Sequence, residues 1–315
     1  MTPSPKRTSA VDPLRLILAA FVVGIHTNYG FGLDAPFSDM LVNGLYRIAV
    51  PTFAVISGYF FFDAMQRDGG VLYIKRILFL FAIWTLIYLP LWIGLQDEPQ
   101  DIIKVAIFGV MHLWFLPGIA IAAGMMMIMK ARGVKNSVIL ILALCLAVSG
   151  CIAQYLSMRT GTISIYFYRN GIFSIYPYFA IGWLLNSPSV QLGLGRVPAA
   201  LRIGAVITAL IAVMIEGALW MDIEGAKSVD NMVSLVFAAP VVFLAALGTT
   251  GSWPGKTLAQ IATFVYLSHY LFIDAAERLL GGTAAEVPFV FLASFGLGWA
   301  LTALPTGRRI LKSAT

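Results

Sequence analysis

The chain has 315 residues, of which 59% are hydrophobic and only 11% charged, with a mean hydropathy of +0.86. A soluble domain of this length carries roughly 25% charged residues, so too little polar surface exists here to coat a water-soluble globule, and the composition places the chain in a lipid bilayer. The net charge of +6 includes no Lys/Arg run longer than two residues, which argues against nucleic acid as a partner and leaves the basic residues to mark cytoplasmic loops.

Apolar stretches of spanning length predict an all-α, polytopic integral membrane protein of about ten transmembrane helices. They fall at 13–31, 39–62, 77–95, 108–130, 137–156, 170–186, 203–221, 230–249, 258–278 and 287–304. Ahead of the fourth, DIIKVAIFGVM is a candidate interfacial helix preceding the true span. The opening MTPSPKR before an apolar run has the outline of a signal peptide, but no A-x-A pattern follows, so 13–31 is read as an uncleaved first span. Connections are short, and 12–305 is expected to be one transmembrane domain between polar, loosely ordered tails at 1–11 and 306–315. Under this count fourteen of the 21 basic residues lie on one side, Lys75, Arg76, Lys130, Arg132 and Lys135 among them. The opposite side receives Lys104, Arg159, Arg169, Lys227 and Arg278. That asymmetry puts both termini in the cytoplasm.

Cys145 and Cys151 share one predicted helix but point to different faces, so no disulfide is expected between them. No metal centre is suggested by the pattern of His, Cys, Asp and Glu.

An ionisable side chain inside a span costs about 2.5–3.5 kcal/mol on insertion scales, so each one suggests a function. The candidates are His26, Arg47, His112, Arg169, Glu216 and His269, with Asn170 beside Arg169. The predicted topology places all seven at mid-membrane or in the outer half, and the chain's three histidines are all in this layer. Structural roles stand beside functional ones. Glu216 could tie helices together by pairing with Arg47 or Arg169, His112 and His269 could be interhelical hydrogen-bonders, and Arg169 with Asn170 could snorkel to the interface.

RLILAAFVVGIH (Arg15–His26) gives His26 a stronger case. Eleven helical steps of about 100° overshoot three turns by only about 20°, so Arg15 and His26 share a face, about 16 Å apart along the axis. Arg15 is at the cytoplasmic end, where Lys75 and Arg76 begin the third span. Cations at one end and an imidazole farther along suit a long anionic donor with a reactive far end, the shape of an acyl-coenzyme A.

With these residues the sequence resembles membrane acyltransferase family 3, over nearly the whole chain. Arg15 and His26 match its R-x10-H signature. VPTFAVISGYFFF (Val50–Phe62), with Ser57-Gly58-Tyr59, resembles its second-span pattern. HLWFLPGIA (His112–Ala120) and YRNGIFSIYPYFAIGWLL (Tyr168–Leu185) resemble the fourth- and sixth-span patterns, and VYLSHYLF (Val265–Phe272) a late-span pattern ending in histidine. In one departure, the R-x-x-R of many members is absent: Lys75 and Arg76 are present, but Phe79 stands where the second arginine falls. The closest flavour is the small bacterial O-acetyltransferase branch with no appended soluble domain.

The resemblance implies acyl transfer, with acetyl-CoA as co-substrate, to a hydroxyl of a cell-envelope glycan or lipid-linked sugar at the bacterial cytoplasmic membrane. His26 would be general base or transient acyl carrier, since an imidazole titrates near neutrality. Glu216 would orient a histidine or balance its charge. Arg47 and Arg169 would stabilise the oxyanion or hold acidic acceptor groups. Arg15, Lys75 and Arg76 would hold donor phosphates. His112, Trp114, Asn170, His269 and Ser57 would bind the acceptor or support the site, with Tyr166, Tyr168 and Tyr176 in a pocket or in an interfacial belt. Ser57-Gly58 also reads as a small-residue contact that lets helices approach closely. A carrier for an amino acid or sugar is the rival reading of the polar layer, and a non-catalytic subunit a third.

Overall fold

The computed structural model describes residues 10–27, 33–93, 99–223, 226, 228–249, 251, 255–281, 283 and 285–303. The tails, apart from residues 10 and 11, lie outside the described residues, as does Lys227. Every regular element among the described residues is helical. In chain order these are α1 (Val11–Thr27), α2 (Phe37–Asp39), a π turn (Met40–Gly44), a 3-10 turn (Leu45–Ile48), α3 (Ala49–Met65), α4 (Gly70–Trp92) and α5 (Pro99–Phe108). Then come α6 (Phe115–Ala131), α7 (Asn136–Thr160), α8 (Ile165–Tyr168), a second π turn (Gly171–Ile175), α9 (Tyr176–Leu185) and α10 (Pro188–Leu194). The chain continues through α11 (Ala199–Met221), α12 (Val233–Leu247), α13 (Gly255–Ser268), α14 (Tyr270–Leu280) and α15 (Glu286–Ala303).

Among the described residues, four helical stretches are long and apolar enough to cross a membrane: 37–65, α4, α7 and α11. Large apolar side chains such as Leu86, Ile141, Ile203 and Leu219 stand exposed on the last three, as lipid contact requires. Five more apolar helices are shorter, at 10–17 residues. Helix is present among the described residues of every predicted span, and the chain is a multi-pass membrane protein. The fourth span meets the expectation of a separate segment ahead of it, and the ninth departs from the expectation of one helix. In the fourth, 101–111 is indeed separate, since α5 ends at Phe108 and a turn carries the chain to Phe115. The ninth, expected as one helix over 258–278, is interrupted at His269. Its second half, α14, is amphipathic, with Asp274, Glu277 and Arg278 in eleven residues and an exposed Arg278–Asp274 pair at 3.0 Å.

The described residues pack as two compact units, Met1–Phe53 with Ser187–Thr315, and Ala54–Asn186. In the first, α1 packs on α13 and α15 through small and branched side chains, Ala19, Val23, Ile261, Ala262, Val265 and Val290. Small residues at such contacts let helix backbones close up where lipid supplies no hydrophobic drive. α11 packs on α12 and on the π turn 40–44.

In the second unit α6 packs on α4, α9 and the π turn 171–175, and α7 on α9. Gly58 of α3 and Gly182 of α9 make a reciprocal close approach. A Cβ built on Gly58 would lie 1.9 Å from the Phe179 carbonyl oxygen, and one on Gly182 would lie 2.0 Å from that of Val55. The small-residue reading of Ser57-Gly58 is met at Gly58, while Ser57 itself is half-buried. On α7, Cys145 is exposed and Cys151 buried.

Candidate functional site

The first unit holds Arg15, His26, Arg47, Glu216 and His269. His26 sits in the last turn of α1. Its ring stacks on that of His269, with centroids 5.2 Å apart and planes 29° apart. Tyr270 closes the group, 4.9 Å from His26 and 5.3 Å from His269. His269 is fully buried, and its Nδ1 lies 2.7 Å from the Tyr266 carbonyl oxygen and 3.3 Å from that of Val265. A carbonyl only accepts, so Nδ1 is the donor in these contacts. Two histidines from distant parts of the sequence thus meet at one point, one of them hydrogen-bonded to the backbone.

Arg15 is on the same helix as His26, but its guanidinium is paired with the buried carboxylate of Asp12 at 3.0 Å. Asp12 therefore tempers the cationic character expected at this end of α1. Arg47 pairs with Asp230 at 3.0 Å, both side chains being nearly buried at 11% and 12% exposure, and also donates to Asn43 Oδ1 at 3.1 Å. Asp230 carries no sequence signal of its own, since it reads as a loop acid at the edge of a span.

Glu216 does something the sequence did not suggest. Its carboxylate accepts from the backbone N–H of Val233 at 2.8 Å, from that of Ser234 at 2.7 Å, and from Trp220 Nε1 at 3.1 Å. Val233 and Ser234 open α12, so an anion sits on the unsatisfied amides of a helix N-terminus, where the helix dipole favours it. The geometry is that of a helix cap joining α11 to α12, not of a carboxylate orienting a histidine.

The second unit holds the remaining expected residues. Lys75 and Arg76 are exposed on α4. His112 is buried, with the Tyr88 ring edge-on at 5.5 Å. Trp114 and Arg169 come together: the guanidinium carbon lies 4.9 Å from the centre of the indole ring, and Arg169 donates to the Met111 carbonyl at 3.4 Å. Met111 holds a positive φ of 52°, a backbone conformation uncommon outside glycine. Asn170 accounts for the path of the chain beside Arg169. Its Oδ1 accepts from Ile172 and Phe173 N–H and its Nδ2 donates to the Tyr166 and Phe167 carbonyls, which fixes the reversal between α8 and the π turn. Of the tyrosines, Tyr168 and Tyr176 are buried and Tyr166 is exposed. Phe108, Gly109, Met111, Trp114, Ile165, Tyr166 and Arg169 line a cavity of about 160 Å³.

No solved structure matches the chain. An amino-acid racemase of Enterococcus faecalis is 27% identical over 292 residues, 85% of this chain and 41% of that protein. A serine/alanine racemase of Enterococcus gallinarum is 30% identical over 131 residues, 36% of this chain and 18% of that protein. The chain thus spans less than half the length of either relative. The acyltransferase domain of acyltransferase family 3 matches residues 8–303, and with nearly its whole length covered the chain belongs to that family.

Proposed function

We propose that the chain transfers an acyl group, acetyl in the first instance, from cytoplasmic acyl-CoA to a hydroxyl of an envelope glycan or lipid-linked sugar, at a bacterial cytoplasmic membrane crossed by ten helices with both termini inside. The observation that carries the proposal is the cluster that His26 forms with His269 and Tyr270, His26 lying on the helix that also carries Arg15 in the R-x10-H register. His26 takes the proton of the acceptor hydroxyl as its oxygen attacks the thioester carbonyl. The tetrahedral intermediate then collapses, the C–S bond breaks, and the coenzyme A thiolate leaves with the proton that His26 returns. His269, whose Nδ1 donates to the Tyr266 carbonyl, packs against the His26 ring and limits its rotation, so that the base is held in place before the substrate arrives.

Arg15, Lys75 and Arg76 supply cations for the donor's phosphates. Arg47 is held by Asp230, a pairing that suits a fixed dipole better than a mobile oxyanion ligand. Glu216 acts on the fold, through α12. The relatives named as racemases favour one rival, a membrane domain that handles an amino acid.

Purified protein in nanodiscs, given acetyl-labelled acetyl-CoA and a panel of envelope glycans, separates the two. Label appearing on a glycan supports the transferase. Donor-independent binding or vesicle uptake of serine or alanine, with no label transfer to any glycan, overturns it in favour of a carrier.

A further inference from the structure

The cavity in the second unit has the makings of a ligand site, and its chemistry is specific. Trp114, Phe108 and Tyr166 give it aromatic walls, with Phe108 and Tyr166 rings 5.3 Å apart. Arg169 is the one formally charged residue among its lining side chains. The guanidinium carbon lies 4.9 Å from the centre of the indole ring, and a guanidinium carries a planar fork of N–H donors of the kind that binds an oxyanion. The backbone is committed to holding it there. The Asn170 side chain ties the preceding turn to the following one, its Nδ2 donating to the Tyr166 and Phe167 carbonyls and its Oδ1 accepting from the Ile172 and Phe173 N–H groups, and Met111 adopts its left-handed conformation while its carbonyl accepts from Arg169. Unfavourable backbone conformations persist where the surroundings enforce them, and they gather at ligand sites.

Size narrows the occupant. At about 160 Å³ the cavity is small beside the roughly 300–1,000 Å³ of drug-sized sites, so it suits one ring or one acid group. Aromatic walls suit the C–H faces of a sugar ring, and the arginine suits a carboxylate or phosphate. We propose that this cavity is the acceptor subsite for an anionic sugar unit, the Arg169 guanidinium binding its acid group while Trp114 and Tyr166 border the ring. The assignment rests on the acyl-acceptor reading above and deepens it, from glycan to acidic glycan.

The test is binding without any donor. The protein in nanodiscs is titrated with methyl β-glucuronide, glucose 1-phosphate and methyl β-glucoside, with binding read by ligand-observed NMR. At least one acidic sugar should bind ten-fold or more tightly than the neutral glucoside, and the tighter of the two tells carboxylate from phosphate. Arg169→Gln should abolish that preference, and Arg169→Lys, which keeps the charge but not the fork, should keep part of it. Inorganic phosphate should displace the acidic sugar from the wild-type protein, a readout that needs no variant to fold. Equal binding of all three sugars overturns the assignment. So does an undiminished preference in a folded Arg169→Gln protein, failure of phosphate to compete, or binding of free serine alone. The two readings fail separately. Acid-selective binding without acetyl transfer removes the transferase and leaves the subsite, whereas transfer to neutral acceptors that ignores Arg169→Gln removes the subsite and leaves the transferase.

Discussion

Gly58→Ala tests the packing of the second unit. The added Cβ would lie 1.9 Å from the Phe179 carbonyl oxygen, against an ordinary contact of 3.4–4 Å. α3 and α9 must therefore part locally by about 1.5 Å, because the obstructing atom is backbone and has no rotamer to swing into. Overpacking costs roughly 1–3 kcal/mol, and an unyielding neighbour puts this site near the upper end. Alanine regains about 0.5–1 kcal/mol over glycine inside a helix, so the expected net loss is about 2 kcal/mol. Gly182→Ala meets the Val55 carbonyl at 2.0 Å and should cost the same. The double variant should cost less than the sum of the two, since helices already parted by one methyl accommodate the second. Gly124→Ala is the control, because a Cβ there meets nothing within 4 Å; it should be neutral or slightly stabilising. The assay is reversible detergent-induced unfolding followed by circular dichroism. A Gly58→Ala protein within about 0.5 kcal/mol of wild type, or strictly additive losses in the double variant, would refute the close-approach account.

Glu216→Gln removes the charge and one acceptor from the first amides of α12, and should lower stability by about 1–3 kcal/mol while the folded protein keeps acyl transfer within a few-fold. Lost transfer at unchanged stability would return Glu216 to the chemistry. Arg47→Ala and Asp230→Ala should each destabilise by about 2 kcal/mol or more, as breaking a nearly buried pair does, with strong coupling in the double-mutant cycle; additivity would contradict the ion pair. For the donor end of α1, Arg15→Ala should raise the acyl-CoA KM several-fold. Asp12→Asn should lower it, because it removes the anion that partly neutralises Arg15; shifts in the same direction for both would refute a phosphate role for Arg15.

What could be read from the sequence, and what could not, follows from the range over which each signal acts. Hydropathy located the helical character of the chain, because burial of backbone in lipid demands hydrogen bonding within the segment. Gly58 was legible as a close approach, since a missing side chain beside Ser57 in an apolar run has few other uses. The His26–His269 stacking was not, because periodicity fixes faces and not which helices adjoin. The interruption at His269 was hidden for a different reason: VYLSHYLF contains neither glycine nor proline, the usual marks of a break. The capping role of Glu216 depends on α12 starting at Val233, three residues inside the predicted boundary, and no hydropathy profile resolves an N-terminus that finely. Asp230 is not legible as the partner of Arg47, because an acid at a span edge has the outline of a solvated loop residue. Asn170 was placed beside the right arginine, yet its hydrogen bonds to four backbone groups describe a turn that composition alone does not reveal.

The central claim is that His26 performs the proton transfer with His269 packed behind it. The measurement that addresses it most directly is single-turnover transfer of labelled acetyl from acetyl-CoA to an accepted glycan, comparing wild type, His26→Ala and His269→Ala at matched folded concentration. Loss of a general base removes about 10²–10⁴-fold of rate. The account predicts a fall in that range for His26→Ala with acetyl-CoA binding retained, and a smaller fall for His269→Ala. Transfer by His26→Ala at a rate near wild type would contradict it.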